Sequence, residues 1–318
     1  MSERETTPMP IGNAGQPGLA IGPRLVVLFG GTFDPPHRGH VELPVRVRDE
    51  LERRAGCVGE GWLVYVPAAR SPHKERGPVV SDADRVEMLG RAIAGVPRAG
   101  VWTEEIDRAR AQQEAGGDGR DARATEPSFT VETVRRARRW LDRMESTEAE
   151  MGGSKGEELH AERGGTQGGE THAERGGTQG EELHAERGGT QEGKSHAERG
   201  GIELRLLIGA DQAVGFHRWK EPLSIVRLAK PAVMVRGEVA DSDDLARRLK
   251  QNRFWKREDL EGWRGAMVEV GRMDVSATRV RDALRSGDGA EVERWLSPGV
   301  AAYIREHGLY APSDMDSR

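Results

Sequence analysis

Two histidines three residues apart, His37 and His40, stand in the segment Gly30-Gly31-Thr32-Phe33-Asp34-Pro35-Pro36-His37-Arg38-Gly39-His40. Imidazoles at that spacing at the start of a helix share a face. Each can donate a hydrogen bond to phosphate oxygens as charge builds up during a transfer. The two glycines directly follow the apolar run Arg24–Phe29 (RLVVLF), and without a Cβ they let the backbone of Gly30, Gly31, Thr32 and Phe33 approach an anion. A helix N-terminus behind them adds its dipole and its first N–H donors. Taken alone, the same residues also describe a glycine turn with two surface histidines, or an HxxH metal pair. Near the other end of the chain, Ser276, Thr278 and Arg281 open a helical pattern with two hydroxyls, a second helix N-terminus and a guanidinium one turn on. That is either another phosphate-facing group or an ordinary N-cap with a surface arginine.

These groups need elements to hold them. Short apolar runs at Arg24–Phe29, Trp62–Val66, Val101–Ile106, Leu204–Ile208, Ala232–Arg236 and Met267–Val270 read as strands, several without polar alternation, as in a sheet covered on both faces. Arg38–Arg54, Asp82–Ala94 with Ser81 as N-cap, Thr130–Met144, Thr278–Ser286 and Pro298–His307 read as helices. The alternation predicts an α/β fold, a Rossmann-like doubly wound parallel sheet with its ligand at the loops after the first and fourth strands. Pro44 falls where the first helix is already under way, and the sequence leaves open whether it kinks that helix. Trp102, Trp140 and Trp295 lie in strand or helix patterns and read as packing.

The remainder of the composition sets limits. Of 318 residues only 36% are hydrophobic and 42 are glycine, roughly twice the usual glycine share, so part of the chain is not core. Residues 146–200 hold twelve Glu against six Lys or Arg, which concentrates the overall charge of −5 in that stretch. It is a tandem repeat, HAERGGTQ at His160, His172 and His184 and HAERGG at His196, with too few apolar residues to order itself by stacking. It is expected to be a disordered, solvated insert; metal binding by its four histidines is the alternative. Within it, Gly188–Ser195 (GGTQEGKS) matches the P-loop pattern by chance, since no buried strand precedes it. The expected organisation is a tail over 1–23, one interrupted domain over 24–145 and 201–312, the insert over 146–200, and a tail over 313–318. Bulk charge offers no case for a nucleic-acid or membrane partner. No run reaches the 18 or so apolar residues of a membrane helix, the start lacks a signal-peptide pattern, and the single Cys57 fits a reducing compartment. A cytoplasmic location is expected.

The glycine–histidine segment resembles the signature of the HxGH nucleotidyltransferases, and specifically of the bacterial nicotinate-nucleotide adenylyltransferases. Five more segments resemble that family in order: Pro67–Lys74 ending in Pro-His-Lys, Pro127–Thr133, Ile208–Gln212 followed by Phe216–Trp219, Asp274–Arg281, and His307–Tyr310. Ser71, Val275, Phe129 and Pro44 depart from the family pattern, without removing a polar group assigned to chemistry. The resemblance implies a single nucleotidyltransferase domain that joins ATP and nicotinate mononucleotide into nicotinate adenine dinucleotide and releases pyrophosphate, in NAD biosynthesis. His37 and His40 would be the catalytic pair on the ATP phosphates. Gly30, Gly31, Thr32, Phe33, Asp211, Ser276, Thr278 and Arg281 would bind ATP, with Asp211 accepting from ribose or base. Lys74 would meet the acceptor's phosphate, Trp219 would stack on its pyridine ring, and Thr130 would meet its carboxylate. Mg²⁺ would accompany ATP, held by phosphate oxygens and water and without a dedicated protein cage. A related enzyme acting on nicotinamide mononucleotide or phosphopantetheine, and a non-catalytic nucleotide-binding scaffold, are the competing readings.

Overall fold

The first strand, β1 (Leu25–Gly31), is buried along its apolar length because neither face meets water. Leu25, Val27 and Phe29 pack against Leu43, Val47 and Leu51 of helix α1 (Arg38–Ala55) and against Leu89 and Ile93 of α2 (Asp82–Ile93), while the alternate residues Val26 and Leu28 are equally buried. In this computed structural model the described residues are 8–11, 23–69, 78–115, 130–158, 201–235 and 237–311. Among them six strands form one parallel sheet: β1, β2 (Gly61–Pro67), β3 (Ala99–Val101), β4 (Glu203–Gly209), β5 (Lys230–Met234) and β6 (Met267–Val268), in the order β3-β2-β1-β4-β5-β6. The expected doubly wound sheet is therefore present. Its order reverses between β1 and β4, where a crevice opens at the carboxyl ends of the strands.

The remaining helices are α3 (Glu104–Ala115), α4 (Thr130–Glu158), α5 (Ala210–Val214), α6 (Pro222–Leu228), α7 (Ser242–Gln251), α8 (Arg257–Ala266), α9 (Ala277–Ser286), α10 (Gly289–Trp295) and α11 (Pro298–Glu306). A second apolar cluster joins Met88 of α2 to Val280, Trp295, Val300, Tyr303, Ile304 and Tyr310, which seats the C-terminal helices on the first half of the domain. Ser81 caps α2 as expected, its hydroxyl accepting from Asp84 N at 3.1 Å. Trp102 and Trp295 are buried; Trp140 is half-buried.

Several expectations are corrected. The third strand is only Ala99–Val101, and the rest of the expected Val101–Ile106 strand turns into α3. Acidic residues crowd the first turn of that helix, where the dipole favours them. Glu104 is buried beside Arg136 at 3.1 Å and Arg108 at 3.5 Å, and burial raises its carboxyl above the usual range. Helix α4 does not end at Met144 but runs on to Glu158, so residues 146–158 of the expected insert are helical. Residues 159–200, including all four repeat histidines, lie outside the described residues, as do 1–7, 12–22 and 312–318 of the expected tails. Within the first tail, however, Met9 and Ile11 are buried, and Pro10 lies so close to Gly100 that a Cβ there would meet it at 2.8 Å. Helix α1 is continuous from Arg38 to Ala55 with Pro44 inside it. The chain divides into two units, Met1–Trp140 with Ile202–Arg318, and Leu141–Gly201. In the second, Ser146 and Thr147 turn their hydroxyls back to the carbonyls of Asp142 and Arg143.

One buried carboxylate fastens α1 to β2. Glu52 accepts from Gly59 N at 2.9 Å and Gly61 N at 2.8 Å, with Arg98 at 3.3 Å and Arg48 at 3.9 Å. A Cβ on Gly61 would sit 2.5 Å from the Glu52 carboxylate, so only glycine fits there. Glu52→Ala leaves two amides without their acceptor and takes the carboxylate from beside Arg98 and Arg48, which keep their bonds to Gly61 O, Pro97 O and Asp49. It should lower unfolding stability by about 3–5 kcal/mol, measured by urea titration; a loss below about 1 kcal/mol would show that the clamp is dispensable.

Candidate active site

The loop after β1 is built so that its carbonyl oxygens are engaged behind it. Gly31 O accepts from Ala68 N at 2.9 Å, Thr32 O from Arg85 Nη1 at 2.7 Å, and Asp34 O from Arg281 Nη1 at 2.6 Å. Arg85 is fully buried and is steadied by Asp82 at 2.6 Å. Phe33 adopts a left-handed backbone (φ 52°) with its ring tucked beneath Gly31, where a Cβ would meet it at 2.9 Å. This close approach explains the second glycine of the pair.

His37 is the N-cap of α1, and its backbone N–H donates to His40 Nδ1 at 3.3 Å. A nitrogen that accepts an N–H carries no proton in the neutral ring. The bond therefore places the hydrogen of a neutral His40 ring on Nε2. The two imidazoles are stacked, with centroids 3.7 Å apart and planes at 20°. The edge of Phe33 fixes His40 from another side, at 5.2 Å and 82°. Gly39 lets a third element in: a Cβ at that position would strike Val275 Cγ1 at 2.8 Å and the His37 ring at 3.2 Å.

Val275 leads into α9. Ser276 is its N-cap, the hydroxyl accepting from Arg279 N at 3.2 Å, and Thr278 Oγ1 accepts from Arg281 Nη2 at 3.2 Å. Arg281 thus spans from α9 to the loop after β1. Arg279 is exposed and paired with Glu291 at 3.0 Å. Asp211 lies in the first turn of α5, directly after β4, exposed and close to Gly237, whose Cβ would be 3.7 Å away. Because β4 pairs with β1, Asp211 stands at the same carboxyl edge as Gly30 and Gly31.

Thr130 and Trp219 belong to a second group. Trp219 is half-buried and stacked on Phe216 (4.6 Å, 28°), which is held in turn by Trp255 and Trp263. The segment after Trp219 is tied to the start of α4 by Lys220 to Glu132 at 3.0 Å and by the ion pair of Arg135 with Glu221. Lys74 and the Pro127–Phe129 segment lie outside the described residues. Sequence reasoning assigned no role to Arg85, Asp34 or Tyr310. Asp34 is buried, and Tyr310 donates to it at 2.6 Å; burial, and then this bond, push the Tyr310 phenol well above the usual tyrosine range.

Residues 28–143 match the family described as cytidylyltransferase-like. Over 292 residues the chain is 26% identical to a probable nicotinate-nucleotide adenylyltransferase of Chromobacterium violaceum, covering 90% of this chain and 98% of that protein. A protein of the same description from Pseudomonas syringae pv. tomato is 28% identical over 304 residues, 92% of this chain and 97% of its own length. One from Geobacillus kaustophilus is 36% identical over 108 residues, 34% of this chain and 39% of that protein. Over this sheet and this loop the chain is thus similar to the cytidylyltransferase-like family, and over nearly its whole length to proteins described as probable nicotinate-nucleotide adenylyltransferases.

Proposed function

We propose that this protein is an adenylyltransferase that joins ATP and nicotinate mononucleotide into nicotinate adenine dinucleotide, releasing pyrophosphate, as a step of NAD biosynthesis in the cytoplasm. The observation that carries the reading is the stacked His37/His40 pair on the N-terminus of α1, one loop beyond Gly30-Gly31, at the point where the strand order reverses. The names of the full-length relatives support the acceptor.

In this reading an oxygen of the acceptor's phosphate attacks the α-phosphorus of ATP. The bond from that phosphorus to the bridging oxygen breaks, and pyrophosphate leaves with the bonding electrons. No covalent intermediate on the protein is required, so the protein's task is orientation and charge neutralisation. His40, whose Nδ1 accepts from His37 N, keeps its ring proton on Nε2, and in this reading it donates from there to the phosphates as charge develops. His37 shares that face. Gly30 to Phe33 give close backbone approach, Ser276 and Thr278 bring α9 to the phosphates, and Arg281 adds positive charge while holding the loop. Asp211 serves the adenosine end. Trp219, backed by Phe216, offers a flat apolar face to the pyridine ring, with Thr130 for its carboxylate and Lys74 for the acceptor's phosphate.

Mg²⁺ is read as arriving with the triphosphate. The loop's own carboxylate, Asp34, has one oxygen engaged by Tyr310 and the other by Val79 N, so the chain's fit to the ion is through phosphate oxygens and water. When bound, the ion offsets the triphosphate charge. Residues 159–200 are assigned no part in this chemistry.

Pyrophosphate release from ATP should be fastest with nicotinate mononucleotide when that acceptor, nicotinamide mononucleotide and phosphopantetheine are compared side by side; equal kcat/KM with phosphopantetheine would overturn the acceptor assignment. His40→Ala should lower kcat by about 10²–10³ in a folded protein, and a loss under about fivefold would make His40 structural. Replacing residues 159–200 by a short Gly/Ser linker should leave turnover unchanged and shift stability by only about 1 kcal/mol, in the favourable direction. Loss of activity or of several kcal/mol on excision would show that the repeat folds against the domain.

A further inference from the structure

Asp34 is only 4% exposed, yet every oxygen it owns is engaged by a different part of the chain. Oδ1 accepts from Tyr310 Oη at 2.6 Å, Oδ2 from Val79 N at 2.6 Å, and the backbone carbonyl from Arg281 Nη1 at 2.6 Å. Tyr310, after α11, lies in the cluster formed by Val280, Trp295 and Tyr303. Val79 lies two residues before the N-cap of α2, and Arg281 is on α9. The residues at either end of the phenol–carboxylate bond are held in unusual conformations: Phe33, next to Asp34, has φ 52° and Tyr310 has φ 60°. Non-glycine residues persist in that region only where their surroundings over-determine them.

Between Asp34 and His37 stand two buried prolines, Pro35 and Pro36. Their rings fix φ, so this stretch has few torsions in which to absorb a displacement. Movement of Asp34 is passed on to the N-cap of α1, and through the His37 N to His40 Nδ1 bond to both imidazoles. We propose that Asp34 and Tyr310 are positioning residues for the histidine pair: the buried phenol–carboxylate bond sets where the two rings stand on the phosphates, although neither residue touches substrate. This rests on the adenylyl-transfer reading above.

The test is Tyr310→Phe, which keeps the ring in its cluster and removes one donor, together with Asp34→Ala and the double variant. The expected result for Tyr310→Phe is a fall in kcat of about tenfold or more, because misplacing catalytic groups by a fraction of an ångström is felt in the transition state. KM for ATP and for the acceptor should stay within about twofold. Amide exchange should quicken at residues 33–40 and 79–81 but not in β1 or β4. The double variant should be no worse than Asp34→Ala alone, since both remove one interaction. Should Asp34→Ala fail to fold, Tyr310→Phe decides on its own. A kcat within about twofold of the parent, a loss expressed in KM, a uniform rise in exchange, or additive losses would overturn the proposal. If the parent protein itself releases no pyrophosphate, the adenylyl-transfer reading falls; local exchange at residues 33–40 then still decides whether the bond governs the loop.

Discussion

In the proposed function the loop after β1 faces a triphosphate and must keep its own carbonyl dipoles from meeting the anion, and that constraint organises this structure. The oxygens of Gly31, Thr32 and Asp34 are taken up by Ala68 N, Arg85 and Arg281, donors from the end of β2, from α2 and from α9. Each donor is positioned by a different packing contact. The sheet brings Ala68, the fully buried Arg85 is held in α2, and the C-terminal cluster brings α9 to the first half of the domain. Burying the guanidinium of Arg85 is costly in itself, and is offset because two of its nitrogens reach an acceptor or a carboxylate. The electrostatic character of the crevice thus depends on groups behind it that meet no ligand.

The proposed acceptor side is assembled by a different logic. Phe216, Trp255 and Trp263 form an aromatic base under Trp219, while charged pairs link the following residues to α4. Apolar stacking fixes the plane of the indole, and the ion pairs, being partly exposed, set the lateral position of its segment with little energy. Glu221, in left-handed backbone at φ 51°, bonds Ser224 as well as Arg135 and makes the turn into α6.

How much of this could be read beforehand depends on whether the signal was local. Five of the six apolar strands, the Ser81 cap and the glycine–histidine loop announce themselves within a few residues, and these are found. The strand assigned to Val101–Ile106 fails because Val101, Trp102 and Ile106 look like a buried run, whereas Glu104, Glu105 and Asp107 place a helix start among them. The end of α4 was set too early because its glycines and acidic residues resemble the repeat that follows. Arg85 carried no signal, and Asp34 and Tyr310, although inside recognised segments, carried none that joined them. Their partners are Thr32, Val79 and each other, across the full length of the chain, and no spacing rule connects such positions.

Gly39 has one further implication. Its missing side chain is the space into which Val275 fits, and the His37 ring lines the same space. Positions 39 and 275 therefore behave as a single variable: volume gained at one has to be given up at the other. A methyl group at 39 would act as a wedge, prising the start of α9 from the start of α1 and twisting His37 out of its stack. The valine at 275, one methylene smaller than the isoleucine common in the family it resembles, sets that gauge slightly looser. Drift at either position in related chains should be read jointly, as wear on one hinge pin between two halves of the same phosphate grip.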